Sequence, residues 1–313
     1  MEEVITIATV LAFAGVIWGR VEPLGLDGET LRRSLTSFVY ALLLPALVLD
    51  VLWQSPLSLA TLKVILLAAS AVFSGGALAW IWFRFGPRVW RVAPAALGAV
   101  VLASAFPNAT YLGLPVLESV LGSEARAIAI QYDLMACSPI LLTLGVMFAA
   151  HCGGVKAEEA VWRQLLRVPP LWAMAIALLL NLTGVEQPPA VGRLLEMLAV
   201  AVIPLMLFSL GLSLRWQKGW GGEVRIIMPV VVIQLLLTPL LVYLLGSWLA
   251  LSPFYFTAVV LEGAMPSMVL GLVIADRYRL DSHLYAMAVT LTMVLSLFTL
   301  PFWLAVVSAA VGG

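Results

Sequence analysis

A chain of 313 residues that is 63% hydrophobic and only 11% charged, with a mean hydropathy of +1.07, is not a soluble domain of ordinary composition and reads as a polytopic membrane protein. Its 17 Lys and Arg balance 17 Asp and Glu, so no basic surface argues for nucleic acid. Two cysteines, Cys137 and Cys152, are too few for a disulfide framework or a thiolate metal cluster.

In chain order, apolar windows of bilayer-crossing length fall near residues 4–19, 33–53, 57–83, 92–118, 126–150, 169–184, 192–214, 226–249, 254–275 and 284–309. The first begins almost at Met1 and is followed by charge without a small-residue cleavage signal, so it reads as a retained helix. The sixth, before Asn181-Leu182-Thr183-Gly184, is short. The longest connector, His151 to Pro169, is charged and amphipathic at Trp162, Leu165 and Leu166, which leaves no room for an inserted soluble domain. With the amino terminus outside, 14 Lys and Arg fall in cytoplasmic loops, among them Lys156, Arg163, Arg215 and Lys218, and only Lys63, Arg126 and Arg193 fall outside. This positive-inside bias predicts a cell-membrane protein with both termini extracytoplasmic, and hence an even number of spans. Trp18, Trp53, Trp90, Trp216 and Trp248 lie near span ends, where an interfacial belt is expected.

Two of these spans are interrupted. Ala105 to Pro115, A-F-P-N-A-T-Y-L-G-L-P, places two prolines, an Asn, a Thr and a Gly inside the fourth. Proline removes a helix hydrogen bond and crowds the preceding turn, so the segment should bend or unwind near mid-membrane. Unwound backbone is tolerated there only where protein or a water-filled cavity receives it, which makes a broken span a candidate site for a polar ligand. A shift of 159 residues carries Pro107 to Pro266, within G-A-M-P-S-M-V-L-G-L of the ninth span, and Pro45 to Pro204. Five spans per half is an odd number, so homologous halves have opposite orientation. The expected organisation is a first five-helix repeat over residues 1–150, a cytoplasmic connector over 151–168, and an inverted repeat over 169–313.

Asp133 and Glu262 are the carboxylates furthest from span ends, each about nine residues or ~13 Å deep at 1.5 Å per residue. A charged, unpaired carboxylate at that depth costs several kcal/mol and calls for a proton, a cation or a partner. No Lys or Arg lies at similar depth, which favours a mobile counter-charge, Na+ or H+; the alternative is a protonated carboxyl that packs. Asn108 and Ser267 follow the paired prolines at equivalent positions. With Thr110 and the backbone at Pro107 and Pro266 they either line a ligand site or repair the backbone groups the prolines set free. Ser138, beside Pro139, is a weaker candidate. Asp50, Glu118 and Glu196, near outer span ends, read as snorkelling or solvated, and Gly15, Gly19, Gly75 and Gly76 read as close helix packing. His151 and His283 lack metal spacing. There is no Walker loop, nucleophile elbow, H-E-x-x-H or dinucleotide fingerprint, so the chain does not read as an enzyme or an ATP-driven pump.

The motif F-P-N-A-T-Y-L-G-L-P-V-L, the Y-D-L of Tyr132 to Leu134, and A-M-P-S-M-V-L-G-L-V-I-A-D-R-Y-R-L-D from Ala264 to Asp281 resemble the auxin efflux carrier family, which includes bacterial malate or malonate permease-like proteins. The resemblance covers essentially the whole chain. It implies an all-α fold of ten transmembrane helices as two inverted repeats, a scaffold and a mobile transport unit, discontinuous crossing helices 4 and 9 at the substrate site, and elevator-type movement of a small organic anion. A more distant resemblance is to the bile acid:sodium symporter family. Leu261-Glu262-Gly263-Ala264-Met265 is similar to that family's sodium-site stretch, and Asn108 to its fourth-span Asn. Asp133 and Cys137 have the spacing of its fifth-span hydroxyl ligands but not the residue type, and Pro266 stands where its Gln is expected. The resemblances together imply substrate contacts at Pro107, Asn108, Thr110, Pro266 and Ser267. They imply cation contacts, with Na+ as coupling ion, among Asn108, Asp133, Cys137, Ser138, Glu262 and Met265. A homodimer is expected only by analogy with the plant relatives. The competing readings are a sodium symporter of larger, bile acid-like anions, and a membrane sensor that binds the same ligand without moving it.

Overall fold

The computed structural model describes residues 2–155, 166–213 and 223–311, and every regular element among them is helical. Trp162, Leu165 and Trp216, and the cytoplasmic charges Lys156, Arg163, Arg215 and Lys218, lie outside the described residues. We number the helices α1 (Glu2–Val21), α2 (Gly28–Gln54), α3 (Leu59–Phe85), α4 (Pro94–Ala105), α5 (Ala109–Leu121), α6 (Ser123–Cys152), α7 (Pro169–Leu182), α8 (Pro189–Ser213), α9 (Val224–Trp248), α10 (Pro253–Gly263), α11 (Leu270–Arg277) and α12 (Ser282–Val311). Six of them, α2, α3, α6, α8, α9 and α12, are long and apolar enough to cross a membrane. Each apolar window of the sequence is occupied by helix; windows 92–118 and 254–275 are each divided in two, as α4 with α5 and α10 with α11. The chain is therefore an all-α polytopic membrane protein. Large apolar side chains such as Phe73, Phe298 and Phe302 are correspondingly exposed.

Proline explains much of the local structure. α4, α7, α8 and α10 each open on proline at the first helical position, where a missing N–H costs nothing and the fixed φ suits the helix. Prolines inside helices are absorbed differently. Wide π turns at Val39–Leu43, Ala109–Gly113, Asp133–Cys137 and Ile233–Leu237 each end two residues before a proline: Pro45, Pro115, Pro139 and Pro239. The proline ring crowds the carbonyl four residues back, and a turn closed by a bond five residues back relieves this, as from Leu44 N–H to Val39, Ser138 to Asp133 and Thr238 to Ile233. At α2, Asp27 caps the helix, its carboxylate accepting from Thr30 N–H at 2.8 Å.

The described residues fall into two compact units, each built from both halves of the chain. The first comprises the described parts of Met1–Ser58, Thr110–Ile130 and Arg163–Leu214. Here α1 and α8 run backbone against backbone: a Cβ on Gly15 would lie 2.1 Å from the Phe208 carbonyl oxygen, and one on Gly211 1.8 Å from that of Ala12. Asn181 Nδ2 of α7 closes the end of α2 by donating to the carbonyls of Leu52, Trp53 and Ser55 at 2.8–3.1 Å. Glu118 is not free: Arg126 Nε reaches Glu118 Oε2 at 2.7 Å and the guanidinium pairs with the second carboxylate oxygen, both side chains partly buried. Asp50 accepts from Gln187 Nε2 at 3.3 Å. These outer acids are tied down more than their snorkelling positions suggest. The second unit comprises the described parts of Leu59–Ala109, Gln131–Trp162 and Arg215–Gly313, and contains α3, α4, most of α6, and α9 to α12. Both proline breaks meet in it. A compact unit is a different division from a sequence repeat, and these two units cut across the halves.

Candidate functional site

α4 stops at Ala105 and α10 at Gly263, and the non-helical residues after them run antiparallel as an isolated bridge between Pro107 and Ser267. Asn108 N–H donates to the Pro266 carbonyl at 2.7 Å and Met268 N–H to that of Phe106 at 2.8 Å. The two breaks thus satisfy part of each other's backbone. Other carbonyls beside the breaks find identifiable donors. Pro107 leaves Ala103 O without its usual N–H, and Ser267 Oγ supplies the bond at 2.6 Å. Pro266 does the same to Glu262 O, which Met265 N–H approaches at 3.2 Å. Met265 O accepts from Gln234 Nε2 at 2.9 Å. α12 completes the repair through Thr292 Oγ1, which accepts from Ser267 N–H at 3.1 Å, and Tyr285, whose hydroxyl donates to Met268 O at 2.8 Å. Leu235 O, four residues before Pro239, receives Trp303 Nε1 at 2.8 Å.

Beside these paired backbone groups, several buried side-chain atoms have no partner. Glu262 is 0% exposed and neither carboxyl oxygen has a partner; Asn108 is 1% exposed and both ends of its amide are free. The hydroxyl of Tyr132 and the amide oxygens of Gln131 and Gln234 are also buried without partners. A buried polar atom without a hydrogen bond costs about 1–3 kcal/mol, and a carboxyl more. Asp133 differs, since Ser138 Oγ donates to it at 2.8 Å. Asp133, Cys137 and Tyr132 lie within electrostatic reach of Glu262, so α6 and α10 bring Asp133, Cys137, Ser138 and Glu262 of the expected cation contacts into one neighbourhood. Cys137 is a free, buried thiol. Met265 is fully buried and contributes backbone. Among the described residues no buried side chain is Lys, Arg or His, and no group of three or more His, Cys, Asp and Glu is arranged to hold a metal ion.

Ser267 and Asn108, which sequence position makes equivalent, are used differently. The Ser267 hydroxyl is spent on backbone repair, whereas the Asn108 side chain is not. Thr110 is buried in the π turn that opens α5. Gln131, Gln234, Thr238 and Thr292 are the residues that sequence reasoning passed over. The available signal was the polar residue inside an apolar run, an amide or hydroxyl being as exceptional there as a carboxylate. Ser267→Ala is expected to lower stability by about 1–3 kcal/mol by leaving Ala103 O buried and unpaired. Thermal unfolding in detergent checks this, and an unchanged midpoint would remove Ser267 from the repair.

Two apposed proline breaks with unpartnered buried polar side chains beside them are the arrangement expected where discontinuous helices of a transporter hold a polar ligand. A family model described as membrane transport protein matches residues 2–304, and the chain belongs to that family, the auxin efflux carrier group indicated by its motifs. It is similar to an "uncharacterized transporter" of Methanothermobacter thermautotrophicus, 28% identical over 96% of each chain. It is also similar to the "uncharacterized transporter YfdV" of Escherichia coli K12, 24% identical over 94% of each. A third relative, of Rhizobium meliloti, is named "putative malonate transporter" and is 27% identical over 85% of this chain and 83% of its own length. All three are named as transporters, in keeping with the membrane transport family to which this chain belongs.

Proposed function

We propose that the protein is a secondary active transporter that carries a small organic anion, a carboxylate, by alternating access, coupled to Na+ or H+ held at Glu262. The observation that carries this reading is the Glu262 carboxyl, wholly buried with both oxygens unpartnered, four residues before the proline of a crossed break. Such a group needs a counter-charge, and no basic side chain is buried with it among the described residues. The cation would then also offset the charge of the anion, with the Asn108 amide as its donor. The relative named for malonate supports a carboxylate substrate.

In this reading the chain has ten spans in two inverted repeats, which two pairs of helices support. The shift that relates Pro107 to Pro266 also carries Pro94 of α4 onto Pro253 of α10, and Ser123–Cys152 of α6 onto Ser282–Val311 of α12. In this reading both termini face outward and the second unit, which holds both breaks, is the moving body of an elevator.

Purified protein in detergent, melted in Na+ against K+ at constant ionic strength, tests the cation. A ligand that binds only the folded state stabilises it by about 2.7 kcal/mol at a hundred times its dissociation constant. Na+ is expected to raise the midpoint saturably in the wild type and not in Glu262→Gln. Counterflow of labelled malonate in proteoliposomes then tests carriage. A wild type that does not distinguish Na+ from K+ removes sodium and leaves proton-driven uptake as the remaining coupling. Absence of counterflow with malonate and other mono- and dicarboxylates removes the anion reading.

A further inference from the structure

α9 presents two free oxygens on one face. Gln234 and Thr238 are four residues apart across the π turn at Ile233–Leu237, a little less than one turn of that wider coil. Both residues are 0% exposed, and Gln234 Oε1 and Thr238 Oγ1 have no partner. Among the described threonines this is uncommon, and Thr299 shares it. Thr143, Thr257, Thr290 and Thr292 all return their hydroxyls to the carbonyl four residues earlier, at 2.6–2.9 Å, and Thr238 does not. Space beside it is kept by a glycine: a Cβ on Gly75 of α3 would stand 3.2 Å from Thr238 Oγ1 and 2.3 Å from Ser104 O. The same stretch of α9 lies against the end of α10 that carries Glu262. Gln234 Nε2 holds Met265 O at 2.9 Å, and a Cβ on Gly263, the residue after Glu262, would be 3.1 Å from Val242 Cγ2 and 3.7 Å from Pro239 Cα.

A carboxylate, an amide oxygen and a hydroxyl are hard donors, suited to a cation that prefers oxygen. One end of the Gln234 side chain is already anchored on the break, which fixes where its oxygen points. We propose that Gln234 Oε1 and Thr238 Oγ1 are ligands, with the Glu262 carboxylate, of an Na+ site at the junction of α9 and α10. This rests on the reading of Glu262 as the group that holds the coupling cation. It adds a helix that supplied no candidate from sequence, and it gives Gln234 two tasks, pinning the Met265 carbonyl and binding the ion, so that cation binding is felt directly at the proline break.

Na+ titrations of the melting temperature, K+ making up the ionic strength, discriminate. Thr238→Val keeps the shape and breaks no hydrogen bond present in the protein, so it is expected to leave the midpoint without Na+ unchanged or higher while raising the apparent Kd for Na+ at least tenfold. Thr238→Ser restores the oxygen and is expected to stay within threefold of wild type. Gln234→Leu is expected to weaken Na+ binding further. If Glu262→Gln abolishes the Na+ response while Thr238→Val and Gln234→Leu retain wild-type affinity, α9 is not a ligand helix and only this inference falls. A wild type without any Na+ response overturns it together with sodium coupling at Glu262.

Discussion

Glu262→Leu is expected to abolish coupled uptake and, at the same time, to raise the melting temperature of the cation-free protein. Glu262 sits at the last turn of α10, 0% exposed, with both oxygens unpartnered and with Asp133 within electrostatic reach. Without a cation, folding must either bury an uncompensated charge or hold a proton on a carboxyl that makes no hydrogen bond, and each costs several kcal/mol. Leucine is of similar size, carries no charge and no hydrogen-bonding atom, and removes that cost. A gain of a few kcal/mol corresponds to roughly 2–4 °C per kcal/mol for chains of 150–250 residues. Function is lost because the counter-charge then has nothing to bind, the usual opposition between a site and the stability around it. Substrate uptake into proteoliposomes and melting curves in K+ measure the two halves of the prediction. A lower midpoint in K+ would make Glu262 a packing residue, and retained uptake would place coupling elsewhere.

The breaks were legible because proline acts locally. Pro107 and Pro266 each remove one N–H and crowd one carbonyl wherever the chain goes, so unwinding at these points follows from the sequence alone. Glu262 was legible for a similar reason, since a carboxylate deep in an apolar window is exceptional whatever surrounds it. How the freed carbonyls are answered was not legible. That Ser267 reaches Ala103, that Gln234 reaches Met265 and that Trp303 reaches Leu235 depend on which helices cross, and the separations are 164, 31 and 68 residues. Position in the repeat assigns Asn108 and Ser267 one role, whereas packing gives them different ones: a hydroxyl near a free carbonyl is consumed by it, and an amide without such a neighbour stays available. The pairing of Glu118 with Arg126 was hidden because each residue taken alone looks like a span-end charge.

Gly211→Val is expected to prevent the first unit from assembling, with loss of monodisperse protein after extraction. The contact between α1 and α8 is made by backbone on both sides: an added Cβ at Gly211 would stand 1.8 Å from Ala12 O and 2.8 Å from Ala12 C, and one at Gly15 2.1 Å from Phe208 O. Main-chain atoms of a helix cannot step aside as the tip of a side chain can, so the two axes must separate along the whole seam. Close approach of this kind is how apolar helices adhere in lipid, where burial of apolar surface offers little gain over contact with acyl chains and dispersion between close-packed atoms carries the association. Separation also undoes the edge-to-face contact of Trp18 with Phe208, whose ring centroids are 5.8 Å apart. Gly19 supplies the control within the same G-x-x-x-G. A Cβ there would meet only Leu212 Cδ2, at an ordinary 3.5 Å, so Gly19→Ala is expected to leave expression and melting close to wild type. Size-exclusion profiles and melting temperatures of the two variants decide the matter. Equal tolerance of both would mean that the α1–α8 seam is not a close backbone contact in the bilayer, and equal damage would mean that the whole glycine face, and not the crossing point at Gly15 and Gly211, holds the unit together.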